Sequence, residues 1–318
     1  MKVCVVGAGA IGGLIGVRLA RAGQARVSAL ARGATLQALQ RAGWRLDDDE
    51  GQHGVQVTCS DDPGALGPQD LVVIAVKAQA LGELAGRLGP LLAPHTVVLP
   101  AMNGVPWWFA EGLQSVDPGG AIAAAIPRHH VLGCVVHASA SAEGPGRVRH
   151  HSGLGLVIGE PDGGRSARAE EVAALLGAAG FEVTVSPEVR KAIWYKLWGN
   201  LSTNPVSAIT GATTDRILAD PLVSQFCLAL MAEAKAVGAG IGCDLPQTPE
   251  DRHAITRRLG AFKTSMLQDV EAGRGLELDA IVAAVRELGQ RVGVPTPQID
   301  TLFGLARLFG QVRGLYPR

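Results

Sequence analysis

Lys196, Asn200 and Asn204 recur every four residues in the run Ile193-Trp194-Tyr195-Lys196-Leu197-Trp198-Gly199-Asn200-Leu201-Ser202-Thr203-Asn204-Pro205. At helical spacing the three share one face, with Ile193 and Leu197 on that side and Trp194, Trp198 and Leu201 on a neighbouring one. An ammonium and two amides among apolar residues are costly to bury unpaired, about 1–3 kcal/mol for each polar group and more for the charge. A bound substrate would supply the missing partners. The alternative is a structural stripe satisfied by the backbone of another domain.

A second constellation opens the chain. Gly7-Ala8-Gly9-Ala10-Ile11-Gly12 follows the apolar, β-branched run Val3-Cys4-Val5-Val6 and precedes an amphipathic segment that ends at Gly23. Strand, G-x-G-x-x-G turn and helix form the setting for dinucleotide binding: one glycine turns the chain, one lets backbone approach a pyrophosphate, and one lets helix pack on strand. The phosphates would sit at the helix N-terminus, where free N–H groups and the dipole favour negative charge. A site for NAD would carry an acidic residue at the end of the second strand, about 20 residues on. Here that strand, residues 25–30, leads into Ala31-Arg32-Gly33, and no acidic residue precedes Asp47. The guanidinium of Arg32 can hold a 2′-phosphate bidentately, whereas a carboxylate would repel it, so the expected cofactor is NADP(H). The other reading of Arg32 is a solvated turn residue.

The elements that would carry these groups follow from hydrophobic periodicity. After the second strand, residues 35–42 read as a short helix and 44–58 as hairpin-like strands around Asp47-Asp48-Asp49-Glu50-Gly51. Residues 71–77 form a continuous apolar strand expected beside the first, which puts Lys77 at the carboxyl edge where open α/β sheets bind ligands. Residues 81–91 read as helix, 96–99 as strand, and the segment from Pro106 as a helix with proline at its first position. Strands are expected at 131–140, 147–150, 154–159 and 181–185, with a helix over 166–179 between the last two. From Pro187 the pattern is helical: 188–208, 222–238, a helix capped at Thr248-Pro249-Glu250-Asp251, 279–292 and 298–309. The fold class is therefore α/β, an N-terminal Rossmann domain with a doubly wound sheet over residues 1–186, followed by an all-helical domain over 187–318.

Composition narrows the function classes. With 318 residues, 47% of them hydrophobic, the chain can fill two ordinary cores. Formal charge balances at zero, without a basic run, which argues against an extended nucleic-acid surface. The five cysteines have no C-x-x-C spacing, which fits a reducing cytoplasm and argues against zinc. The pairs His129/His130 and His150/His151 would point to opposite faces of a strand and make poor joint ligands, so no metal is expected. No uninterrupted apolar stretch reads as a membrane span, and Arg18 and Arg21 after the first apolar run argue against a signal peptide.

Taken in order, Gly-Ala-Gly-Ala-Ile-Gly, Lys77 after its strand, Asn103-Gly104, Lys196-Leu-x-x-Asn200-x-x-x-Asn204-Pro205, Ser265-Met266-Leu267-Gln268-Asp269 and Glu277-Leu278-Asp279 resemble the ketopantoate reductase (2-dehydropantoate 2-reductase) family over nearly the whole chain. The Ser-Met-Leu-Gln-Asp and Glu-x-Asp blocks are the specific part. The resemblance implies NADPH-dependent reduction of a 2-oxo acid, ketopantoate to pantoate, in pantothenate biosynthesis. It implies that Lys196 is the catalytic lysine and Glu277 a substrate-binding and catalytic carboxylate. Asn103, Asn200 and Asn204 would orient substrate and nicotinamide, and Ser265 would bind the substrate carboxylate. Gly7, Gly9, Ala10, Ile11, Gly12, Arg32, Lys77 and Asn103 would hold NADP(H). Hydride attack on a C2 ketone builds negative charge on oxygen, and an ammonium can stabilise and protonate it. The expected partner is a small 2-oxo acid, with a homodimer left open and neither nucleic acid nor membrane. One departure stands out: Trp107, Trp108 and Phe109 follow the Asn103 loop, as core, interface or pocket wall. Other reductases or dehydrogenases on the same plan, and a non-catalytic NADP(H)-binding regulator, are the competing readings.

Overall fold

Val3, Cys4, Val5 and Val6 have no exposed surface, so β1 (Lys2–Val6) is covered on both faces, as its unbroken apolar run requires. The computed structural model describes residues 1–258 and 260–317. The chain divides into two compact units. The first comprises Met1–Met102, Pro106–Glu111 and Gly119–Ala192; the second comprises Asn103–Val105, Gly112–Pro118 and Ile193–Arg318. By contact the division falls inside a helix, after Ala192, and two short stretches of the N-terminal half are assigned to the second unit.

In the first unit β1 is followed by α1 (Ala10–Ala22), β2 (Arg26–Leu30), α2 (Gly33–Ala42), β3 (Trp44–Asp48), β4 (Gly51–Val55) and β5 (Thr58–Ser60). Then come α3 (Pro63–Leu66), β6 (Gln69–Ile74), α4 (Ala78–Ala85), β7 (Leu92–Pro100), α5 (Ala121–Ala125), β8 (Gly133–Gly144), β9 (Arg147–Gly159), α6 (Ala167–Ala178) and β10 (Glu182–Val185). Five strands form a parallel sheet in the order β5-β2-β1-β6-β7, with β6 beside β1 as its pattern predicts. This is the Rossmann-like part.

The winding order read from the sequence omits a second sheet, β10-β9-β3-β4, on which β8 pairs antiparallel with β9. It depends on β3 meeting β9 in parallel, Arg45 opposite Arg147, a pairing too distant in sequence for local periodicity to reveal. Helix α1 packs against this second sheet. A Cβ on Gly13 would lie 2.3 Å from Val148 Cγ2, and one on Gly16 2.3 Å from the ring of the fully buried Trp44. Two expected strands, 147–150 and 154–159, are one thirteen-residue strand, β9, turned at Gly153 (φ +72°).

The segment from Pro106 is a series of turns instead of the expected helix. Trp107, Trp108 and Phe109 are 4, 4 and 1% exposed. Successive helical residues point about 100° apart, so a helix would turn one of three consecutive aromatics to solvent. Irregular backbone buries all three, and Arg128 Nη1 donates to the Trp108 carbonyl.

The second unit contains most of α7 (Val189–Thr210), then α8 (Thr214–Ala219), α9 (Pro221–Gly240), α10 (Pro249–Arg257), α11 (Ser265–Glu271), α12 (Ala284–Arg291) and α13 (Pro297–Val312). Trp194 Nε1 donates to the Ala234 carbonyl (3.2 Å) and Trp198 Nε1 to that of Met231 (2.7 Å), so two large side chains of α7 dock on α9 with their polar atoms satisfied. By length and composition α9 could cross a membrane, although Glu233 and Lys235 interrupt its apolar run. In the fold, however, its Cys227, Leu230, Met231, Ala234 and Val237 are buried, and the Glu233 carboxylate caps α13 by accepting from Gln298 N (2.9 Å) and Ile299 N (3.0 Å). The predicted capping box at Thr248 and Asp251 forms, with Pro249 in the first turn. The helix expected over 279–292 forms: it opens with a π-helical turn at Asp279–Ala283 and continues unbroken as α12. Residues 112–118 are held to α12 by the Glu287 carboxylate, which accepts from Gln114 N (3.0 Å) and Ser115 N (2.8 Å).

Candidate active site

In the first unit the glycine turn is built for close approach. Gly7 has φ +96°, and a Cβ there would lie 2.6 Å from Val76 Cγ1. A Cβ on Gly12 would fall 1.9 Å from the Gly7 carbonyl oxygen, so α1 can start only without that side chain. Gly9, the N-cap of α1, faces open space and no side chain caps it. Ala10 and Ile11 form the first turn, which holds no acidic residue. The N–H groups of that turn are a ready anion site.

Gly7, Ala8 and Gly9 line a cleft of about 430 Å³ together with Leu30, Ala31, Arg32, Thr35 and Val76. Arg32 is exposed and is the N-cap of α2, whose first turn also lacks an acidic residue and a side-chain cap. The donor set therefore fits a phosphorylated dinucleotide: two uncapped helix N-termini, a glycine floor and a guanidinium. The sequence reading missed a further part of the lining, Ala80, Glu83, Leu84 and Arg87 on and just after α4. Their i, i+3, i+4, i+7 spacing marks one helical face and was the available signal. Arg87 Nη2 donates to the Asp61 carbonyl (2.9 Å), holding a second guanidinium at the cleft. Lys77 is the N-cap of α4, next to the wall residue Val76.

In the second unit the polar stripe of α7 is observed. Lys196 is half-buried, and its Nζ donates to Asn103 Oδ1 at 2.8 Å. Asn204 is 4% exposed, and its Nδ2 donates to Ser265 Oγ at 3.4 Å, a long contact. Asn200, half-buried between them on the same face, makes no side-chain hydrogen bond among the described residues. Ser265 starts α11, whose N-cap Thr264 accepts from Leu267 N (3.2 Å). Glu277 is half-buried just before the π-helical turn. That turn connects to the Asn103 loop: Val105 N donates to the Ala280 carbonyl (2.8 Å), and Gly104 (φ +83°) packs so closely that a Cβ would lie 2.6 Å from the same oxygen. The fold thus joins Asn103 to Lys196, Ser265 to Asn204, and the segment bearing Glu277 to the loop bearing Asn103.

The histidine pairs do not converge on a common point. His130 Nδ1 bonds the Thr96 carbonyl, His150 Nε2 that of Gly153, and His151 Nε2 the Ser141 hydroxyl. One trio that the sequence reading did not single out, Asp48, Glu50 and His53, has donor atoms within 4.8 Å of one another. Arg18 pairs with Asp48 (3.2 Å) and Arg21 with Glu50 (3.5 Å), so the trio is an ion-pair cluster at the β3–β4 turn. Burial pushes the Asp48 carboxyl up, but His53, the Glu50 N–H and Arg18 outweigh it and hold the group below the usual range.

Residues 3–163 match the family description "Ketopantoate reductase PanE/ApbA", and residues 188–309 match "Ketopantoate reductase PanE/ApbA C terminal". The chain belongs to the ketopantoate reductase family. It is 42% identical to a 2-dehydropantoate 2-reductase of Mesorhizobium japonicum, over 99% of this chain and 100% of that one. A candidate ketopantoate reductase from Ralstonia solanacearum MolK2 superposes with a TM-score of 0.96 at 57% identity, covering 99% of each chain. The same fold recurs in D-mandelate dehydrogenase, solved with NADH and anilino(oxo)acetate, at a TM-score of 0.88 and 20% identity, over 99% of this chain and 100% of that one. Family membership makes this chain an oxidoreductase with a Rossmann domain and a helical C-terminal domain.

Proposed function

We propose that the protein reduces ketopantoate to pantoate with NADPH. The hydrogen bond between the Lys196 ammonium and Asn103 carries the reading, because it holds a proton donor on the face that also bears the amides of Asn200 and Asn204. Bound in the glycine cleft, the nicotinamide cofactor supplies a hydride. Lys196 stabilises the oxyanion forming at C2 and gives it a proton from Nζ. By accepting one Nζ–H, Asn103 Oδ1 fixes how the other ammonium protons point. Ser265 and Asn204 receive the substrate carboxylate, Asn200 orients the oxo acid, and Glu277 holds the substrate hydroxyl and favours the charged form of the lysine.

Arg32 and Arg87, which both line the cleft, support NADPH over NADH. None of the five cysteines forms a disulfide, in keeping with work in a reducing compartment. NADPH oxidation followed at 340 nm against ketopantoate and a panel of linear, branched and aromatic 2-oxo acids tests the reading. The expected result is highest kcat/KM for ketopantoate; a different acid at the top of the ranking would replace it as the substrate.

A further inference from the structure

The segment after α13 returns to the site. Gly314 (φ +68°) turns the chain, Leu315 N donates to the Gly310 carbonyl (2.7 Å), and the Leu315 carbonyl accepts from Leu276 N (2.9 Å). One residue on, the Tyr316 hydroxyl donates to Asp279 Oδ1 at 2.5 Å. A Cβ on Gly310 would lie 2.8 Å from Tyr316 Cβ and 3.3 Å from Leu276 Cδ1, so the close packing of this segment depends on a glycine in α13. Glu277 is therefore bracketed, by Leu276 on one side and Asp279 on the other, the first tied to Leu315 and the second to its neighbour Tyr316.

Asp279 also opens the π-helical turn. The next residue, Ala280, accepts from Val105 and backs onto Gly104. Fixing Asp279 thus fixes the surface on which the Asn103 loop rests. Burial raises the Asp279 carboxyl above its usual range, an effect the Tyr316 bond partly offsets. Burial and then the Asp279 bond push the Tyr316 hydroxyl up, so it remains a donor throughout the neutral range. A phenol donating to a carboxylate at this length is a strong, directional contact.

We infer that Tyr316 is a positioning residue: through its hydrogen bond to Asp279 it holds Glu277 and the Asn103 loop in register for the 2-oxo acid. The inference rests on the proposed substrate-binding roles of Glu277 and Asn103. Tyr316→Phe tests it, because the ring and its packing stay and only the donor goes. Full alignment of a charge-assisted contact is worth up to about a hundredfold, and a positioning residue transmits part of it, so KM for ketopantoate should rise about three- to tenfold. NADPH affinity, read by fluorescence titration, should change less than KM, since of the expected cofactor contacts only Asn103 rests on this segment and the glycine cleft lies in the other unit. Hydrogen exchange should quicken at residues 276–284 and at Val105. Asp279→Asn, which still offers an acceptor to the phenol, should be milder than Asp279→Leu, and Tyr316→Phe combined with Asp279→Leu should be no worse than Asp279→Leu alone.

An active wild type whose Tyr316→Phe variant keeps its KM, even with a lowered melting temperature, would make the contact a stability latch and overturn the inference alone. Unchanged exchange at residues 276–284 in that variant would also overturn it. A wild type that turns over none of the 2-oxo acids would overturn the functional reading, and this inference with it.

Discussion

Replacing Lys196 by alanine removes the ammonium that donates to Asn103 at 2.8 Å and takes away the proposed proton donor. General acid catalysis is worth about 10²- to 10⁴-fold, which at about 1.36 kcal/mol per tenfold is roughly 2.7–5.4 kcal/mol of transition-state stabilisation. The loss should appear in kcat, because protonation of the oxyanion belongs to the transition state. The structural cost is smaller. Lys196 and Asn103 are both half-buried, so water can reach the orphaned amide oxygen, and one lost hydrogen bond costs about 0.5–1.5 kcal/mol. That corresponds to a fall in melting temperature of roughly 1–6 °C. The assay is NADPH oxidation at saturating ketopantoate, with NADPH titration and a thermal melt on the same preparation. Glu277→Ala should mainly raise KM, and its combination with Lys196→Ala should be non-additive if the two charges act together. A folded Lys196→Ala enzyme with near-normal kcat would refute the assignment and make the α7 stripe a structural feature.

Arg32→Asp should abolish or reverse a preference for NADPH over NADH of about 1.5–3 kcal/mol, measured by binding titration; equal wild-type affinities would refute the role of the guanidinium. Trp108→Ala should cost about 3–5 kcal/mol in denaturant unfolding and leave the ranking of 2-oxo acids unchanged, because the ring is buried; a changed ranking would make it a pocket wall. The Arg168 guanidinium, at 2.5 Å, holds the Glu160 carboxyl below its usual range against the opposing effect of burial. Its folded value is depressed, so its stabilisation is present above the ordinary glutamate range of about 4.3 and is lost as pH falls through the folded value. Glu160→Gln should flatten the acid limb of the stability profile over that interval, and an unaltered limb would count against the pair.

Local signals recovered what local physics decides. The unbroken apolar runs of β1 and β6, the glycine fingerprint and the Thr248 capping box were legible because each depends on neighbours within a turn or a strand. The four-residue spacing of Lys196, Asn200 and Asn204 was legible for the same reason, since a regular helix turns spacing into a face. What escaped depends on distant partners. The second sheet needs Arg45 beside Arg147, and the glycine face of α1 has meaning only once Trp44 and Val148 pack against it. Three consecutive aromatics looked like a helix start until their shared burial required an irregular chain. Asn103 meeting Lys196 across 93 positions was accessible only through family resemblance, because no periodicity links them.

The assignment of Asn103–Val105 and Gly112–Pro118 to the second unit bears on how this enzyme could be rebuilt by recombination. A gene cut after codon 186 and joined to the helical half of a relative would separate Glu287 from the backbone donors of Gln114 and Ser115, and Lys196 from Asn103. Each half would then meet a loop whose side chains were built to pair with a different sequence. Chimaeras that carry residues 103–105 and 112–118 along with the helical half, and leave 106–111 with the first unit, keep those pairs together, so the heritable module here is discontinuous along the gene.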